Sequence, residues 1–397
     1  MILDRKNIYF SCFAVILAVM AFSTAQGLTY PLLSSILVLS GASTTQIAIN
    51  AACTPLGIVV SSFFITKYAI DYNRKALICL SVFTVIVILW FIAITPVGWF
   101  WSPLRFLLGI AINVIYVLSE ITILQISPPS HRARLIGAYT AITNIGYAIG
   151  PLLLLVSGNG IYKPILLLTI ILFFSLIPIY LSQIHLHMQK NTSTDDTSSS
   201  SVLVFIRTSW ILVLCYASTT LFDNAFMSLL PVYGISFGMD RDIISLILSL
   251  ILIGGVVIQL PCGLALDKWP TFNVTLCIII TGTICFIIFK PQLTKDYYSY
   301  LAPVALGASV FSLQTIALNE LGGRYAGRTL AAGNAAFAMM WGVSGVIGVP
   351  LSGFLMDNLG AESLIWVTGT LFSFTAILFL IWIKLVPIKI IKTDNNF

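Results

Sequence analysis

The chain has 397 residues, 58% apolar and only 9% charged, with a formal net charge of +6 and a mean hydropathy of +1.01. A single water-soluble core cannot hide that much apolar surface, so the composition excludes a soluble globule and requires lipid around the chain. The seven cysteines (Cys12, Cys53, Cys79, Cys215, Cys262, Cys277 and Cys285) are scattered singly with no metal or disulfide spacing and read as small apolar fillers.

A membrane-spanning helix needs roughly 20 apolar residues. Apolar runs near 8–37, 43–66, 76–95, 99–125, 135–157 and 163–183 predict six spans. The first begins after Arg5 and Lys6, runs far beyond a signal-peptide core and has no small-residue cleavage site, so it is expected to stay as a helix. One long polar break follows, from His185 to Ser201, rich in serine and low in aromatics, and reads as a flexible linker. Six more runs lie near 208–236, 242–265, 272–290, 298–320, 330–356 and 361–384. The expected organisation is an all-α membrane protein with twelve transmembrane helices in two six-helix, pseudo-symmetric bundles. The bundles are 1–184 and 207–397, joined by a cytoplasmic linker at 185–206.

With the N-terminus inside, fifteen loop Lys and Arg fall on the inner side and four on the outer. That bias places both termini in the cytoplasm and accounts for the net positive charge without a nucleic-acid partner. The halves also repeat. Pro31 and Pro231, Ser62 and Gly263, Glu120 and Glu320, and Pro151 and Pro350 each stand 199–201 residues apart. Duplicated six-helix units place a cavity at their interface and rock about it to give alternating access.

Charged groups inside spans are expensive and read as functional candidates. Span four carries Arg105, Gly109, Asn113 and Glu120. Arg105 stands near the outer interface and is a candidate for proton coupling, with snorkelling as the alternative. Glu120 lies about 22 Å deeper, given a rise of about 1.5 Å per residue, where it can exchange protons or pair with the basic loop of Arg132 and Arg134. Asp223 and Asn224 fall halfway along span seven, and Asp223 is the best-placed acid for proton coupling. Glu320, beside Asn319, is a candidate for proton transfer, for gating or for pairing with Arg324. Gln26, Asn50, Asn113, Asn144, Tyr147, Gln259, Gln314 and Trp341 are candidates for lining a polar pathway, or for helix–helix hydrogen bonds and packed rings. The histidines, His131, His185 and His187, lie in predicted loops. No metal or cofactor site is expected.

Three local patterns resemble those of major facilitators. Gly263-Leu264-Ala265-Leu266-Asp267-Lys268 resembles their short cytoplasmic loop motif, with close helix approach at Gly263 and charge pairing by Asp267 as a conformational lock. Its first-half copy is degraded, with Ser62 and Thr66 replacing Gly and Asp while Lys67, Arg74 and Lys75 remain. Arg105-x-x-x-Gly109 resembles the fourth-helix motif of proton-coupled facilitators. Gly146-Tyr147-Ala148-Ile149-Gly150-Pro151 resembles the antiporter motif of the drug-efflux branch, and its glycines also permit tight packing. Over nearly the whole chain the resemblance is to bacterial facilitators of the YcaD type, although Ile121 stands where many of these have Trp.

The resemblance implies a secondary transporter of the bacterial inner membrane that moves a small organic solute and protons, without enzymatic activity and without need of a partner chain. Proton-coupled efflux by antiport is the leading expectation. Import of a sugar, amino acid or iron chelate by proton symport uses the same acids, and direction rests on Gly146–Pro151.

Overall fold

The structure is a computed structural model that describes residues 5–68, 74–126, 132–158, 160–182, 199–289, 300–325 and 327–385, and among these it contains helices and no strands. The first half comprises α1 (Arg5–Leu39), α2 (Thr44–Tyr68), α3 (Arg74–Ile94), α4 (Trp101–Ile126), α5 (Arg132–Ser157) and α6 (Tyr162–Leu181). After it come α7 (Ser199–Thr208), α8 (Trp210–Ser236), α9 (Arg241–Lys268), α10 (Thr271–Ile288), α11 (Leu301–Arg324), α12 (Gly327–Val343), α13 (Val349–Leu359) and α14 (Ser363–Leu385). Eleven stretches of described helix are long and apolar enough to cross a membrane, and α5 contributes a shorter apolar stretch, Ala141–Ser157. Large apolar side chains such as Phe83 and Phe174, each 62% exposed, cover the outside of these helices. Lipid is the only solvent in which that surface is stable.

Two local features depart from the sequence expectation. The last residues of the predicted linker are helical: α7 occupies Ser199–Thr208. Its Phe205 is buried edge-on against Tyr325, with ring centroids 5.2 Å apart, so an apolar anchor holds this short segment in place. Span eleven is also not one regular helix. A π-helical turn at Ser344–Gly348 separates α12 from α13, in a stretch where Gly345, Gly348 and Pro350 weaken the regular hydrogen-bond ladder.

Packing groups the described residues into two compact units that are not the sequence halves. The first takes Met1–Lys190, Ala225–Leu252 and Gly345–Leu364; the second takes Asn191–Asn224, Ile253–Ser344 and Ile365–Phe397. Within the first unit α1 packs along α5 and α2 along α4. Glycine makes both contacts possible. A β-carbon on Gly150 would strike the backbone of Gly27 and Leu28, and one on Gly109 the backbone of Thr54. Within the second unit α10 packs on α11, and α7 on α12.

Candidate functional site

In the second unit, α8 presents Tyr216, Thr220, Asp223 and Asn224 at helical spacing, so they share one face. Asp223 is half-buried, and its Oδ1 is shielded without a hydrogen bond among the described residues. The Trp341 indole of α12 lies within hydrogen-bonding reach of the carboxylate. Tyr216 stacks on Phe337 with ring centroids 4.0 Å apart and planes 9° from parallel, and its hydroxyl accepts from Gln314 Nε2 of α11 at 3.1 Å. The uncharged polar groups satisfy one another. Asn224 Nδ2 donates to the Thr220 carbonyl at 2.9 Å and the Trp341 carbonyl at 3.4 Å, and the Thr220 and Ser344 hydroxyls bond at 2.9 Å. The π turn begins at Ser344, three residues after Trp341, which fits a local function for that distortion.

The first unit holds a second polar set. Arg105 does not snorkel, as its outer position suggested. It is 1% exposed, donates from Nη1 to Asn50 Oδ1 at 3.0 Å and from Nε to Thr54 Oγ1 at 3.3 Å, and stacks 5.2 Å from the Tyr30 ring centroid. The short polar side chains of α2 thus draw the guanidinium inward, away from the interface. Asn113 Nδ2 donates to Ser61 and Ser62, each at 2.9 Å, tying α4 to α2. Tyr116 donates to Gln26 Oε1 at 3.2 Å and shares a 2.9 Å bond with Ser23. Glu120 is exposed on α4, within electrostatic reach of Tyr139, while the side chains of Arg132 and Arg134 lie outside the described residues. Asn144 and Tyr147 are half-buried on α5. Gly146, Gly150 and Pro151 are buried, the glycines directly against α1, so packing is the visible role of that motif.

At the α9 end the loop motif is not engaged. A β-carbon on Gly263 would meet nothing within 4 Å, which corrects the expectation of close helix approach there. Asp267 and Lys268 are exposed and form no ion pair among the described residues. The side chains of Lys67 and Arg74 lie outside those residues. Gln259 is half-buried on α9, and Asn319 is exposed on α11. Glu320 beside it is 1% exposed and pairs with Arg324 at 2.6 Å, which in turn stacks 4.1 Å from the Trp382 ring centroid. Of the readings open for Glu320, the ion pair is the one formed.

Sequence reasoning passed over a contact at the opposite helix ends. Asp357 of α13 accepts hydrogen bonds from the Thr44 N–H at 3.0 Å, the Thr45 N–H at 2.8 Å and the Thr45 hydroxyl at 2.6 Å. It thereby caps α2 and stabilises its N-terminus. Gly353, one turn earlier, packs on Ala48 and the Thr44 carbonyl. Tyr216 and Phe337 were also missed. The signal for Tyr216 was its position seven residues before Asp223, two turns along one face. No group of three or more metal-ligating side chains occurs among the described residues.

The profile of the Major Facilitator Superfamily matches residues 12–336 and also 212–395, nearly the whole chain. The chain belongs to the major facilitator superfamily. This facilitator is 25% identical over 383 residues to the uncharacterised MFS-type transporter YfkF of Bacillus subtilis (strain 168), with 95% of each chain covered. It is 24% identical over 288 residues to the YcaD transporter of Salmonella heidelberg, covering 71% of this chain and 72% of that one. Its fold is similar to that of the nucleoside transporter NupG (TM-score 0.74, 12% identity, covering 94% and 99% of the two chains). It is also similar to a D-xylose–proton symporter (TM-score 0.70, 12% identity, covering 94% and 97%). The facilitator is therefore a multi-pass membrane transporter of the secondary type.

Proposed function

We propose that this facilitator is a proton-coupled antiporter that exports a small organic solute across the bacterial inner membrane by alternating access. It acts as a monomer with both termini cytoplasmic. The observation that carries the reading is Asp223. It stands at mid-depth of α8, faces aromatic rings and amides rather than a basic side chain, and leaves one oxygen without a hydrogen bond among the described residues. An intramembrane acid so placed is a candidate for exchanging a proton with a solute. Glu120, exposed on α4, is the second acid of the relay. Arg105, held by Asn50 and Thr54, supplies a fixed positive field in the first unit.

In this scheme a proton from outside neutralises Asp223, and a solute entering from the cytoplasm displaces it. The α2–α13 contact closes the outer side during that step, and Asp267 and Lys268, now unpaired, engage when the inner side closes. Gly146–Pro151 favours export over symport, by resemblance to the antiporter motif. The test is proton movement in liposomes carrying the purified protein, read with an internal pH dye while solutes are added. Solute-dependent proton flux that Asp223→Asn or Glu120→Gln abolishes is expected, and its sign separates antiport from symport. Solute movement without proton flux, equal in both variants, refutes the reading.

A further inference from the structure

The Asp223 cluster also narrows the class of solute. We propose that α8, α11 and α12 form a binding site for an organic cation, with Asp223 as counter-ion, Trp341 and Tyr216 as its aromatic wall and the buried Phe337 backing Tyr216. This rests on the transporter reading above and adds to it the charge of what is carried.

The argument comes from what the cluster leaves unsatisfied. A neutral polyol is recognised by amides and hydroxyls that still have bonds to give. Here Gln314 is engaged with Tyr216, Asn224 with two backbone carbonyls, and Thr220 with Ser344. Those bonds use part of the neutral capacity of the cluster, and its charge rests on Asp223 alone. Asp223 Oδ1 is shielded and makes no hydrogen bond among the described residues, and the only ion pair among them is that of Glu320 with Arg324. A carboxylate in so apolar a setting is stable in its charged form only when a positive charge approaches it. A solute anion would be repelled. Electron-rich ring faces attract cations, and here the rings stand at helical spacing beside the acid: Phe337 and Trp341 lie one turn apart on α12, while Tyr216 lies two turns from Asp223 on α8. Core packing alone accounts for stacked rings, but it does not call for a carboxylate without an ion-pair partner beside them.

The test uses the full chain in detergent and calorimetric titration with three permanent cations: benzyltrimethylammonium, tetraphenylphosphonium and ethidium. Neopentylbenzene, the uncharged carbon isostere of the first, and D-xylose serve as neutral probes. At least one cation is expected to bind at least thirtyfold more tightly than either neutral probe. Asp223→Asn should weaken that binding at least thirtyfold and Trp341→Phe about three- to tenfold, while Asp223→Glu, which keeps the charge, stays within about fivefold of the wild type. Thermal unfolding of each variant separates lost binding from lost folding.

Three results overturn the assignment. They are no binding of any of the three cations, equal binding of cation and isostere, or a folded Asp223→Asn that binds as the wild type does. The two readings fail separately. If D-xylose or another neutral solute drives Asp223-dependent proton flux while no cation binds, the cation site is refuted and proton coupling stands. If a cation binds through Asp223 but crosses liposome membranes without proton movement, the site stands and proton coupling is refuted.

Discussion

Replacing Asp357 with Ala should release the contact between α2 and α13. The carboxylate accepts three hydrogen bonds at the start of α2, from two backbone N–H groups and the Thr45 hydroxyl. Loss of an N-cap costs about 1 kcal/mol. Loss of a negative charge at an exposed helix N-terminus costs roughly 0.3–1 kcal/mol more. Together these approach about 2 kcal/mol, and since about 1.4 kcal/mol is tenfold, the packed state should lose about thirtyfold in population relative to the separated one. Val349, Ser352, Gly353 and Met356 form the buried face of α13, so Ser352→Cys is a nearly isosteric reporter. In a background with the native cysteines replaced, a membrane-impermeant maleimide should label Cys at 352 about thirtyfold faster after Asp357→Ala. Thr45→Val removes one of the three bonds and should accelerate labelling about fivefold, at about 1 kcal/mol per bond. Unchanged or slower labelling in folded Asp357→Ala protein would show that the cap does not bias the equilibrium.

Two further outcomes are expected of purified protein followed by thermal unfolding. Gly150→Ala should destabilise by about 1–3 kcal/mol because the new methyl meets the α1 backbone, which cannot yield, whereas Gly263→Ala, facing open space, should be neutral or gain up to about 1 kcal/mol in helix propensity; equal effects would refute the packing argument. Glu320→Gln should cost about 3–5 kcal/mol by leaving the Arg324 charge buried beside Trp382. Joint replacement of Glu320 and Arg324 with Met should restore most of it, and a failure to do so would mean that the pair is held by more than its own attraction.

The spans were legible because a bilayer imposes length and apolarity on any crossing segment, and those survive in sequence as plain runs. Which faces meet was not. In helices apolar all round, the 3.6-residue periodicity that marks a buried face in water is lost, so Tyr216 and Phe337 stood out from the 25 Phe and 15 Tyr only once their rings were seen to stack. Acids and cations were legible as residues, and their partners were not. Arg105 read as a functional candidate or a snorkelling side chain because depth was visible, while Asn50 and Thr54, about 50 residues earlier, gave no sign of reaching it. Gly263 shows the converse error: a motif glycine implied close packing that this conformation does not make. The α7 helix was hidden by its serines, since composition argued for a linker while the single ring of Phe205 was enough to anchor a turn.

The repeat offset sharpens the contrast between the halves. Two hundred residues before Asp223 stands Ser23, a hydroxyl bonded to Tyr116, and two hundred after Arg105 stands Ala305. The first half thus keeps a buried cation held by neutral acceptors, and the second an acid flanked by rings. Glu120 and Glu320, at matching positions, have also parted: one is exposed on α4, the other sealed against Arg324. Asp223 and Arg105 instead each stand opposite a neutral residue, Ser23 and Ala305, so neither charge is repeated at its matching position. On the reading proposed above, Asp223 is the one group of this cluster at which a proton and a solute charge would exchange.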